Sequence, residues 1–164
     1  MSYALRHNLT HMIIIQGIHR IFPFFPIFGS GMYRLQPVYV DDLAQIAIAS
    51  AAESRSITVD ALGPETFTFQ DFARLMASHI KPGLPLVHLP PGLGIALGSL
   101  IGKALGDVLL TQDELQGLMD EMLTSTQPAN GSTRFSDWLA VHKDTVGTSY
   151  SSEVKRHFRW KPPN

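Results

Sequence analysis

Asp41 and Asp42 stand side by side, and adjacent carboxylates can divide acid and base roles when burial raises the pKa of one of them. They also open an apolar helical pattern, where an aspartate caps free amides and adds favourable charge to the first turn, and this is the simpler role. His7 and His11 are four apart and could share a helix face suited to a metal, but no third ligand follows at sensible spacing. Gly92-Leu-Gly94-Ile-Ala-Leu-Gly98 lies between a strand pattern and a helix pattern, as a phosphate-binding turn would. Its spacing is G-x-G-x-x-x-G, Pro90 and Pro91 occupy the turn, and no acid ends a following strand to take a ribose hydroxyl, so a phosphate loop is not expected. Gly29-Ser-Gly31 lacks the form of a nucleophile elbow. The absence of cysteine removes thiolate metal sites, disulfides and a cysteine nucleophile.

The elements that would position these groups follow from periodicity and caps. Asn8 to Ile21 reads as a helix stopped by Pro23 and Pro26, after which Phe22 to Phe28 leads into a Gly29-Ser-Gly31 turn that permits positive φ. Gln36 to Val40 is expected as a strand, Asp42 to Glu53 as a helix capped by Asp41, and Ser56 to Asp60 as a strand because Ile57, Thr58 and Val59 are β-branched. Thr68 and Asp71 approximate a capping box for a helix to about Ile80 that buries Phe72, Leu75, Met76 and Ile80, and Leu84 to Leu89 is the next strand. An apolar helix to about Leu105, a helix to about Leu123 opened by the capping box Thr111 to Glu114, and helices near Ser136–Val141 and Ser149–Phe158 complete the order. This predicts a single α/β domain over residues 1–164, with a few short strands and flanking helices in 1–89 and a mostly helical part in 90–164.

Composition narrows the classes. The chain has 164 residues, 45% hydrophobic and only 16% charged, against about 25% charged in typical soluble domains; part of its surface is expected to be covered. The net charge of −1 argues against nucleic-acid binding through phosphate neutralisation, and the apolar content excludes disorder. The start at Met1 lacks a secretory pattern, so a cytoplasmic location is expected. Gly94, Gly98, Gly102 and Gly106 recur every fourth residue and predict close helix packing. The uncharged run from Leu84 to Gly102 is broken by His88, Pro90 and Pro91 and is too short for a span, so a buried packing helix is expected rather than a membrane-surface one.

The run Gly29-Ser-Gly31, then Gln36-Pro-Val-Tyr-Val-Asp-Asp-Leu-Ala44, then Ile57-Thr-Val-Asp-Ala-Leu-Gly-Pro-Glu65 and Thr68-Phe-Gln-Asp-Phe72 resembles the C-terminal half of extended and atypical short-chain dehydrogenase/reductases. These are the NAD-dependent epimerase/dehydratase-like proteins, including the branch similar to an accessory subunit of respiratory complex I. The resemblance implies an incomplete Rossmann-like region and the substrate-binding part of a longer NAD(P)-binding protein. It also implies a small-molecule substrate such as a nucleotide sugar, with NAD or NADP belonging to the full-length parent rather than to this chain. Two family features are missing: the glycine-rich turn, and the Tyr-x-x-x-Lys pair, since Tyr3, Tyr33, Tyr39 and Tyr150 are followed four residues on by His7, Pro37, Leu43 and Val154. No catalytic residue and no cofactor-binding residue is therefore assigned. The family layout places Arg34, Gln36 and Tyr39 at the ligand, with Asp41 and Asp42 at the start of the helix behind them; Arg34 is the natural phosphate grip because a guanidinium binds in a bidentate way. A second expectation is a non-catalytic interaction module that packs its unpaired sheet edge and glycine-striped helix against a partner, such as the missing half, or against a second copy.

Overall fold

The computed structural model describes residues 23–105, 111–144 and 146. The helices expected over Asn8–Ile21 and Ser149–Phe158, and the His7/His11 pair, lie outside the described residues. The elements run β1 (Phe25–Phe28), β2 (Arg34–Leu35), α1 (Val40–Ala51), β3 (Phe67–Thr68), α2 (Phe69–Ile80), β4 (Leu86–Leu89), α3 (Pro91–Leu105), α4 (Gln112–Met119) and α5 (Phe135–His142). The expected α/β class is what is observed: short strands, helices around them and an incomplete sheet.

β1 pairs parallel with β4, in the register Phe25 to Leu86 through Phe28 to Leu89. This strand falls where the sequence suggested only a lead-in, because Pro26 masks it. In the pair, the amides of Phe25 and Gly29 donate across to Pro85 and Leu89 at 2.8 and 2.9 Å; Pro26 falls between them, where its missing N–H removes nothing from the ladder. Gly29 and Gly31 adopt φ of 61° and 69°, the turn expected of them. β2 pairs antiparallel with β3.

Phe25, Ile27, Tyr33, Leu35, Phe69, Phe72, Met76, Phe135 and Leu139 are buried in one core between the strands, α2 and α5. α2 starts as its sequence dictates: the Asp71 amide donates to Thr68 Oγ1 at 3.1 Å. α4 has the complete capping box of Thr111 and Glu114.

Two expectations fail for a shared reason. Ser56 to Asp60 forms no strand and is exposed throughout, because β-branched residues favour extension but no neighbouring strand is in reach. Gln36 to Val40 is likewise no strand: only Arg34–Leu35 pairs, and α1 already begins at Val40 with Tyr39 as its N-cap rather than Asp41. α3 also departs from expectation. Gly94, Gly98 and Gly102 do face inward, with Gly94 buried against the Phe28 ring where a Cβ would overlap it, but Leu93, Leu97 and Leu100 point out instead of packing, and Gly106 lies outside the described residues.

Candidate functional site

The run from Arg34 to Asp42 connects β2 to α1, and its polar side chains reach away to separate later segments instead of converging on a shared cavity. The Arg34 guanidinium grips Glu121, with Nη2 2.6 Å and Nε 3.0 Å from Oε2, while the Arg34 amide donates to Oε1 at 3.1 Å. Glu121 sits just past the end of α4 at φ 56°, a left-handed position usually given to glycine. Its amide donates to the Leu118 carbonyl and that of Met122 to the Gly117 carbonyl, the bonding of a Schellman cap. The side chain thus accepts backbone strain and holds Arg34. The Arg34 hydrogen bond, ahead of its charge, keeps the Glu121 carboxyl below the usual carboxylate range.

Gln36 donates from Nε2 to the Gly63 carbonyl at 2.7 Å and from its amide to Leu123 at 3.0 Å. Tyr39 is half-buried, and its hydrogen bond to the Asp41 carboxylate, followed by that carboxylate's charge, pushes the phenol above its ordinary value. Asp41 is exposed. Asp42 is buried and accepts from the amides of Ser132 at 2.8 Å and Thr133 at 2.7 Å. The Thr133 amide is the largest influence on this carboxyl and, with Ser132, keeps it low against the effect of burial. Asp42 is therefore a pin between α1 and the 131–133 turn, ionised and donor-saturated, which is the opposite of a poised acid.

Residues the sequence reading did not single out complete this seam. Glu65 accepts from the Ser136 amide at 2.9 Å, the Ser136 hydroxyl at 2.7 Å and Arg134 Nη2 at 2.7 Å, closing the start of α5 from a distant segment. Burial pushes its carboxyl up, and the Ser136 amide and hydroxyl, then the Arg134 charge, outweigh burial and leave it below the usual range. Asn130 binds the Leu62 amide through Oδ1 at 2.9 Å and the Asp60 carbonyl through Nδ2 at 2.8 Å. The Gly-Pro-Glu run was the available signal for Glu65; nothing local marks Asn130 or Glu121.

Asp42, Glu65 and Glu121 share one consequence. Each has a folded pKa lower than the unfolded one, so its contribution is complete above the ordinary carboxylate values of about 4 and is lost as pH falls through the lower folded values. The thermal midpoint should hold near neutrality and fall steeply below about pH 4, with a shallower fall in Glu65→Gln. A midpoint unchanged from about pH 7 to about pH 3 would contradict the seam.

A shallow groove of about 330 Å³ opens between the start of α3 and α4, lined by Pro91, Ile95, Gln112, Leu115, Gln116 and Met119. None of these carries charge, so the groove offers neither a phosphate grip nor a proton donor of catalytic type. Gly92 and Gly94 lie inside α3, not in a loop. Among the described residues no group of three His, Asp or Glu side chains could hold a metal.

No family model matches the chain. Over 70 residues, 41% of the chain, it is 34% identical to NADH dehydrogenase (ubiquinone) 1 alpha subcomplex subunit 9, mitochondrial, of Arabidopsis thaliana. That stretch is 17% of the relative's length, so the chain matches one part of a much longer protein. The likeness is distant and partial, and it supports the general family that the Gln36–Ala44 and Ile57–Glu65 runs resemble.

Proposed function

We propose that this chain is the substrate-side, C-terminal part of an NAD(P)-dependent epimerase/dehydratase-like protein, and that it is not catalytically complete alone. NAD or NADP would be held by the part of the parent that carries the glycine-rich turn. The observation that carries this reading is the exposed junction made by α1 and residues 51–60. α1 makes no extensive contact with another described element, Ile48 is 73% exposed, and the β-branched run Ile57 to Val59 is exposed and pairs with no described strand. A helix carrying exposed apolar residues, followed by a β-branched run left without a strand partner, fits a sheet supplied from elsewhere. The likeness to a subunit named for NADH and ubiquinone supports the same direction.

Within this reading, a nucleotide sugar or similar small molecule meets the chain at Arg34, with Gln36 and Tyr39 beside it, and its phosphate competes with Glu121 for the guanidinium. Titration calorimetry with NAD, NADP and UDP-glucose, beside light scattering, tests this. The expected result is saturable binding of UDP-glucose to a monomer, weakened about tenfold or more by Arg34→Ala, with no binding of either dinucleotide. Saturable NAD binding by the chain alone would overturn the proposal. A second reading, a non-catalytic interaction module, is favoured by one observation: the Arg34 guanidinium is already held by Glu121. No ligand binding together with a stable dimer would select it.

A further inference from the structure

α3 is built inside out. Its inward face is a stripe of glycines, Gly94 and Gly102 buried and Gly98 half-buried, flanked by half-buried Ile95 and Ile101, while Leu93, Leu97 and Leu100 are 55%, 43% and 66% exposed. Their spacing of four and three places them on one face with exposed Ala96, and Lys103 follows three residues later at the end of that stripe. The helix has no acidic residue, and Lys103 is its single charge.

This distribution is opposite to that of a helix on a water-facing surface, where large apolar residues turn inward. Small residues toward the protein and leucines away from it is the arrangement of helices that face lipid. A protein partner is less well matched, since protein interfaces are anchored by aromatic or arginine side chains, and this stripe has neither. The cation at its end complements anionic headgroups, and a lysine stem is long enough to lie along the apolar layer with the ammonium in water. No helix among the described residues is long and apolar enough to cross a membrane; fifteen residues of α3 reach roughly 22 Å, short of the roughly 30 Å apolar core of a bilayer. We propose that α3 is a membrane-surface helix, lying in the plane of an anionic bilayer with Leu93, Leu97 and Leu100 inserted and Lys103 at the headgroups.

The absence of cysteine makes the test direct, because Leu97→Cys gives a single labelling site on the full chain. A polarity-sensitive label there should move to an apolar environment on adding vesicles of equal parts phosphatidylcholine and phosphatidylglycerol, while one at Ser78→Cys on α2 stays in water. Flotation with the same vesicles should fall about tenfold in each of Leu93→Gln and Leu100→Gln. Lys103→Gln should lower it about fivefold on these vesicles and leave pure phosphatidylcholine unaffected. These side chains are exposed, so far-UV circular dichroism should show the fold unchanged. A label at position 97 that stays aqueous at saturating lipid would overturn the proposal. So would a label already protected without lipid in a chain that light scattering shows to be a dimer, which would mean that a second copy covers the face.

Discussion

Alanine at position 63 should cost the protein about 3 kcal/mol or more, the upper end of what overpacking does. A Cβ built on Gly63 overlaps the carbonyl oxygen of Pro37, and its carbon and the Val38 backbone lie close behind. No rotamer relieves this, because both groups are backbone. The overlap is also held shut from both sides: Gln36 reaches across to the Gly63 carbonyl, and the amides of Asn130 and Gly131 both donate to the Leu62 carbonyl, at 3.2 and 2.8 Å. Separating 36–38 from 62–63 therefore breaks bonds to the 130–131 turn as well, and through Gly131, which packs on Asp42, it disturbs the pin on α1. Urea denaturation measures the loss as a lowered midpoint. Gly92→Ala is the internal contrast, since nothing lies within 4 Å of its Cβ; it should gain about 0.5 kcal/mol from helix propensity. Equal midpoints for the two variants would show that the close approach at Pro37 does not exist in solution.

The contrast between these glycines also shows where sequence reading works. Thr68 with Asp71 and Thr111 with Glu114 are contacts three residues apart, so the caps of α2 and α4 were legible from local chemistry alone. The partners of Asp42 are 90 and 91 residues away, and no local pattern distinguishes a carboxylate that caps its own helix from one that pins a remote turn. Arg34 was legible as a group able to grip an anion, but the anion it holds is Glu121, 87 residues on. The glycine stripe at 94, 98 and 102 marked the face of α3 that packs, but not that Leu93, Leu97 and Leu100 on the other side stay exposed, since leucines recur at helical spacing in a buried helix as well. The β-branched run at Ile57 to Val59 predicted a strand that does not form, because a strand also needs a neighbour, which residue type alone does not supply.

Phe135→Ala should remove about 3–5 kcal/mol, a large share of the stability of a domain this size. Phe135 is buried, stacked on Phe72 at 5.0 Å and 28°, with its face or edge also against Phe67 at 6.1 Å and Trp138 at 6.3 Å. It is the first residue of α5 and lies between the two ends of the Glu65 clasp, Arg134 and Ser136. Removing the ring leaves a cavity at the junction of β3, α2 and α5 and frees the segment that Glu65 and Asp42 hold from the other side. Phe135→Leu keeps most of the volume and should cost only about 1–2 kcal/mol, the part belonging to aromatic pairing and shape. The stronger test is where the loss appears. If residues 131–139 form one latch, hydrogen exchange in Phe135→Ala should accelerate at the Ser132 and Thr133 amides, which bond Asp42 and do not touch the ring. Acceleration confined to α5 would mean that the ring and the carboxylate pin act independently, and the effects of Phe135→Ala and Asp42→Asn would then add. Coupling between them would instead tie the placement of α1, the helix with the fewest contacts to other described elements, to a phenylalanine at the start of a distant helix.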